Sequence, residues 1–300
     1  QPPRAPETAD NGKSSGKRLA LAQWMFNDDN PLAARVIANR LWQHHFGRGI
    51  VSTPNDFGKL GERPTHPELL DWIASEIRSG DWKLKRIHKL MMLSSTYQLA
   101  STGPEPNLTK DPANILLWRS NMRRLSAEEL RDAILATTGE LNLKAGGPSI
   151  YVPIPQAVLQ GQSQPGRGWG DSPPEEAARR SVYIHIKRSL LVPIMEMHDQ
   201  ADTDSSCPVR YVTTVPTQSL GMLNGEFTNE KAGKLAARLT KSSPGSLTQQ
   251  IRNAIRLTTG RTPEDEEVDR DLNFVKSLQD SEKLTAEQSL KMYCLLILNT

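Results

Sequence analysis

Between residues 30 and 80 the apolar positions fall into two stripes of helical period, separated by a polar gap. In the first stripe Leu32, Ala33, Val36, Ile37 and Leu41 recur at three- and four-residue spacing. Asn30 is a favourable N-cap, Pro31 suits the first helical position, and Gly47 can close the helix in the left-handed conformation. In the second stripe Leu69, Leu70, Ile73 and Ile77 line one face, with Thr65 and Glu68 in capping-box register and Gly80 at the end. Residues 47–63 hold four glycines and predict a loop carrying Asp56 between two anchored helices.

The same reading predicts helices over 16–26, 83–99, 216–224, 228–239 and 247–259. Ser126 with Glu129, and Thr285 with Gln288, stand in capping-box register ahead of two more. Thr262-Pro263 opens another, with Val268, Leu272 and Val275 inside it. Ser181–Ile186 alternates in period two and predicts a strand, which needs a partner among the flanking loops. Residues 141–180, rich in Gly, Pro, Gln and Ser, predict a long irregular loop. The fold class is mainly α: a multi-helix globular domain with a small β element and a long irregular central loop. The organisation expected is a linker over 1–15, an N-terminal helical half over 16–140, the loop over 141–180, and a C-terminal half over 181–300. That half carries the short β element, and its apolar helical pattern is truncated by the end of the sequence.

Composition narrows the function. The 300 residues are 37% hydrophobic, which suits a globular core. The net charge of +3 comes from interspersed acids and bases, so no nucleic-acid footprint appears. No apolar run is long enough to span a membrane. Of the two cysteines, Cys207 falls in a predicted loop and Cys294 in an apolar helix; a disulfide, or a loop thiol and a core thiol, are both open readings. There is no C-x-x-C-H, P-loop, dinucleotide fingerprint, G-x-S-x-G or kinase signature.

Two sets of residues carry candidate chemistry. Asp56, His66 and His45, beside Arg40, supply the carboxylate and imidazoles of a general acid–base site. A metal is disfavoured, because adjacent His44 and His45 point about 100° apart on a helix. The candidate binding residues are Arg40 and Trp42 on the first helix, then Arg124, Tyr183, Arg188, Arg210 and Gln218 further on. Trp169 in the long loop joins them. Guanidinium groups clamp carboxylates, and a flat ring among amides suits a sugar surface. The competing reading pairs these arginines with Glu128, Asp132 or other acids of the chain itself.

The ordered motifs NPLAARVIANRLWQHHFGRGIV, DFGKLGERPTHPELLDWIA, WKLKRIHKLMMLSSTYQ, RRLSAEELRDAIL, GGPS, RRSVYIHIKR, CPVRYVTTVPTQSLGMLN and TGRTP cover nearly the whole chain. The sequence closely resembles the planctomycete-specific C-terminal domain of unknown function, DUF1553. That resemblance implies an extracytoplasmic multidomain protein, periplasmic or on the cell surface. Its upstream partners would be a cytochrome-c-like segment and a second domain of unknown function. Haem c would belong upstream, with no cofactor in this chain. Polysaccharide is the expected partner class, with no nucleic acid and no membrane span. Asp199 matches the family pattern; His198 stands where the family often has an aromatic residue. Two alternatives remain: a non-catalytic structural or interaction domain, and a hydrolase using Asp56 and His66.

Overall fold

Small residues make the contact face of the helix that opens the first stripe. In the computed structural model, which describes residues 15–27 and 29–299, α1 spans Lys17–Met25 and α2 spans Leu32–Phe46. The expected linker lies outside the described residues except for Ser15. The N-cap of α2 is Pro31, one residue later than predicted, and the Asn30 side-chain oxygen accepts from the Leu32 N–H at 3.0 Å just ahead of it. Ala34, Ala38, Leu41 and Trp42 are its buried apolar residues, whereas Leu32 is exposed. The buried face is thus rotated from the predicted stripe, and its alanines let the next helix approach closely. That helix, α3 (Pro67–Ser79), buries Leu70, Ile73, Ala74 and Ile77 against α2. The helix α4 (Leu84–Met92) adds Ile87 and Met91 to the same core, and Ile50 and Val51 complete it from the intervening loop.

Two local expectations fail here for visible reasons. The helix predicted to run to Leu99 stops at Met92, because Ser94 Oγ donates to the Met91 carbonyl at 2.6 Å and accepts from the Tyr97 N–H. The Thr65–Glu68 capping box does not form. His66 is the N-cap of α3, without a side-chain cap bond, and the Thr65 N–H donates to the Ile50 carbonyl. A short helix, α5 (Glu105–Lys110), lies in the proline-rich stretch that follows.

The chain divides between Arg123 and Arg124. In the second unit α6 (Ala127–Thr138) starts from the predicted box, with Ser126 and Glu129 exchanging both bonds. Residues 141–180 contain two short helices, α7 (Gln156–Gln160) and α8 (Pro174–Ala177). Then come α9 (Pro193–Met197), α10 (Pro216–Asn224), α11 (Glu226–Ser242), α12 (Leu247–Thr259), α13 (Asp265–Ser281) and α14 (Ala286–Ile297). The main core gathers Ile134, Leu235, Leu239, Ile251, Ile255, Val268, Val275 and Tyr293 from α6 and α11–α14. A smaller cluster of Ala127, Ile150, Val152, Ile184, Val192 and Met195 sits under the irregular stretch.

The predicted strand is the main departure. Ser181–Tyr183 forms a 3₁₀ turn, and pairing among the described residues is confined to isolated bridges such as Ile150 with Ile184. Only Ile184 of the alternating set is buried; Val182 and Ile186 are exposed. The β element is therefore minor within a mainly helical fold. Cys207 is exposed, Cys294 is buried, and the two are not bridged. No helix among the described residues is long and apolar enough to cross a membrane.

Candidate functional site

In the first unit the loop of residues 47–66 is an arch tied down by one buried side chain. Asn39 is fully buried on α2; its Nδ2 donates to the Val51 carbonyl at 2.9 Å and its Oδ1 accepts from the Val51 N–H at 2.8 Å. Gly49 lies against it: a Cβ there would stand 2.7 Å from Asn39 Nδ2 and 2.6 Å from the Val51 carbonyl oxygen. Gly61 is similarly enforced, since its Cβ would fall 2.0 Å from the Asp56 carbonyl oxygen. Arg40, exposed on α2, reaches Asn55 of the arch at 3.3 Å. Asp56 uses a carboxylate oxygen to accept from the Gly58 N–H at 2.8 Å. Further along, His66 Nδ1 lies 3.0 Å from Thr65 Oγ1. The hydrogen bonds of Asp56 and His66 thus go to their own neighbours.

Beside the arch α3 and α4 enclose a cleft of about 360 Å³. Trp42, Ile73, Ile87 and Met91 form its apolar floor, and Trp72 and Leu116 stand at its wall. Half of the Trp72 surface is exposed (51%), an unusual state for the largest side chain. His66, Glu76, Ser94 and Thr96 supply the polar part of the lining. Glu76 is paired with Arg86. Of the sequence-predicted residues, Trp42 and His66 meet here; Asp56 and Arg40 are not among the lining residues. Trp72, Glu76, Ser94 and Thr96 were missed. Trp72 carried a signal, being a large ring three positions from Leu69 on α3 and one position off its buried stripe.

His45 goes elsewhere. Its Nε2 lies 2.8 Å from His88 Nδ1 on α4, and its ring meets Tyr97 edge-on at 5.6 Å. Burial lowers its pKa below the usual value, and the nearby His88 and His44 lower it further.

In the second unit the predicted binding arginines have partners within the chain. Arg124 donates to the Asp199 carboxylate at 2.5 Å and to the carbonyls of Thr213 and His198 at 2.6 and 3.1 Å. Asp199, at φ 61°, also accepts from the Thr213 N–H and hydroxyl. Gln218 closes this network by donating to Thr213 Oγ1 and the Met197 carbonyl, both at 3.1 Å. Arg210 forms a two-bond fork with Glu128 at 2.6 and 3.0 Å. Burial raises the Glu128 pKa, but the bond and charge of Arg210, with further hydrogen bonds from the backbone and Ser126, together outweigh it, and the carboxyl sits below its ordinary value. Arg188 makes an exposed pair with Asp204.

The irregular stretch is organised by two arginines that sequence reasoning did not single out. Arg179 is fully buried, donates to the carbonyls of Lys144, Gly146 and Pro148, and lies 4.0 Å above the ring of Tyr183. Tyr183 in turn accepts from the Gly146 N–H. Arg131 donates to the carbonyls of Ala177 and Arg179 and to Ser181 Oγ. Burial lowers its pKa to about 10, against the opposing charge of Asp132, so it stays protonated at neutral pH. Trp169 packs edge-on against Tyr151 at 5.5 Å and donates to the Val152 carbonyl. No group of three or more His, Cys, Asp or Glu side chains among the described residues could hold a metal ion.

These features define a mainly helical protein with an aromatic cleft in one unit and an arginine-braced scaffold in the other. A family model described as PSD1, protein of unknown function (DUF1553), matches residues 17–275, and the chain belongs to that family. No curated protein and no solved structure matches the chain.

Proposed function

We propose that this domain is a non-catalytic binding module for a carbohydrate chain, with the Trp72 cleft as its site. The observation that carries this reading is the cleft itself: a half-exposed indole beside imidazole, carboxylate and hydroxyl groups. Sugar rings present apolar C–H faces to such a ring and hydroxyls to such polar groups. The Trp169 loop, which carried the sugar reading in the sequence, supports it less well, since that ring is packed against Tyr151 and tied to Val152. The setting follows the family resemblance: an extracytoplasmic protein of planctomycete type, with a c-type cytochrome segment and a second domain of unknown function upstream. Hydrolysis through Asp56 and His66 is the weaker reading, since general-base chemistry needs the two within hydrogen-bond reach or one water apart.

Titration calorimetry against a panel of soluble neutral and acidic polysaccharides tests the proposal. Trp72→Ala should weaken binding at least about tenfold, about 1.4 kcal/mol, while Trp169→Ala leaves the affinity unchanged. No binding to any member of the panel, or loss in Trp169→Ala with Trp72→Ala unaffected, would overturn it.

A further inference from the structure

The His45–His88 contact joins α2 to α4, and each of these helices lends residues to the cleft, Trp42 from α2 and Ile87 and Met91 from α4. Nε2 of one ring and Nδ1 of the other are 2.8 Å apart, and the ring centroids are 5.1 Å apart. That centroid separation is close to the largest such a contact allows. Each nitrogen therefore points along the line towards the other. One proton fits between them, either in a neutral pair or in an imidazolium–imidazole pair. Two protons do not, because N–H would face N–H along one axis. A metal ion does not fit this arrangement either, since two histidine–metal bonds in line need roughly 4 Å.

The groups facing His45 leave no relief for a second charge. His44 contributes from its own helix, His88 from α4, and the segment after α4 contributes the edge of Tyr97. Lys85 and Lys89, also cationic, flank His88 on α4. The influences on His45 are burial and two further imidazoles, with no carboxylate among them.

The contact is continuous with the cleft. Ile87 and Met91, one position before and three after His88, lie on its floor, and Ser94 and Thr96 line it from the turn beyond. On the other side Tyr97 meets Phe46 edge-on at 5.7 Å, and Phe46 stacks on Trp42, another floor residue, at 3.9 Å. Moving α4 away from α2 therefore takes apart the cleft floor.

We propose that His45 and His88 form a proton-sensitive latch on this cleft, closed while the pair carries at most one shared proton and opened by the second. The role assigned to the latch rests on the cleft being the ligand site. Neutral His45 is favoured by the fold, so the closed state is fully stable above the ordinary histidine pKa of 6.5 and weakens as the pH falls below it.

The experiment is hydrogen exchange of the α4 amides in the full chain between pH 8 and pH 5, expressed as protection factors. In the wild type, protection of α4 should drop at least tenfold below pH 6. In the double variant His45→Gln, His88→Asn, whose amides retain a neutral bond at the same two positions, the drop should vanish. Histidine ring NMR on the wild type gives a reading that needs no variant. The His45 ring should take up its proton below the ordinary value, in step with the loss of α4 protection. An ordinary titration of His45, or α4 protection that does not change with pH, would overturn the latch. Failure of the polysaccharide panel at pH 7 would instead sink the ligand reading and leave the exchange step to be judged separately.

Discussion

Asn39 is the side chain on which the arch of residues 47–66 depends most directly. It supplies both a donor and an acceptor to the Val51 backbone from a fully buried position. Asn39→Ala removes both bonds and leaves a buried N–H and a buried carbonyl without partners. The expected loss is about 2–4 kcal/mol of unfolding free energy, measurable by urea titration followed by tryptophan emission. A loss below about 0.5 kcal/mol would mean that Val51 finds water or another partner. Residues of this kind were poorly legible in the sequence. Pattern reading assigns polar residues to the solvent side, and Asn39 looks like part of the polar run that continues through Arg40. Its position was informative nonetheless, because Ala34, Ala38 and Leu41 put that sector of α2 inwards. Arg131 is the same case: Ala127, Ile134 and Leu135 place it on the buried side of α6, where a guanidinium survives by satisfying carbonyls of the irregular stretch.

At the scale of elements, what could be read was what local chemistry decides. Ser126 and Thr285 cap their helices as predicted, because the partner glutamate or glutamine lies three residues away on the same turn. Thr65 has the same spacing to Glu68, but its N–H is claimed by Ile50 of the arch, a contact that no local rule contains. The two threonine and serine sites should therefore respond differently. Ser126→Ala is expected to cost about 1 kcal/mol, as a lost N-cap does, and Thr65→Ala less than half of that, both by chemical denaturation of the full chain. Equal losses would show that the Thr65 hydroxyl stabilises α3 after all. The failed strand has a parallel cause. Six alternating residues are too few to distinguish a period of two from a turn, and the Asp132 carboxylate captures both the N–H and the hydroxyl of Ser181, at 2.7 Å each. The chain is bent there by a side chain nearly fifty positions earlier.

At the scale of the whole molecule, each unit has a core of its own. Residues of α2, α3, α4 and the arch make one; α6, α10, α11, α12, α13 and α14 make the largest of the others. The tryptophans are unevenly shared: Trp24, Trp42, Trp72, Trp82 and Trp118 precede the division at Arg123, and Trp169 follows it. Tryptophan emission therefore reports mainly on the first unit, whereas far-ultraviolet dichroism reports on helices of both. Leu239, fully buried on α11, gives a way to separate them. Leu239→Ala should cost about 2–5 kcal/mol and move the dichroism transition to lower denaturant while the emission transition stays near its wild-type midpoint. Asn39→Ala should do the reverse, shifting the emission midpoint and leaving the later part of the dichroism curve in place. Divergence of the two probes is the accepted sign that a chain does not unfold as one cooperative body. If both variants displaced both probes equally, the two cores would be thermodynamically one, and a ligand bound at the Trp72 cleft would then stabilise the arginine-braced scaffold as well as its own unit.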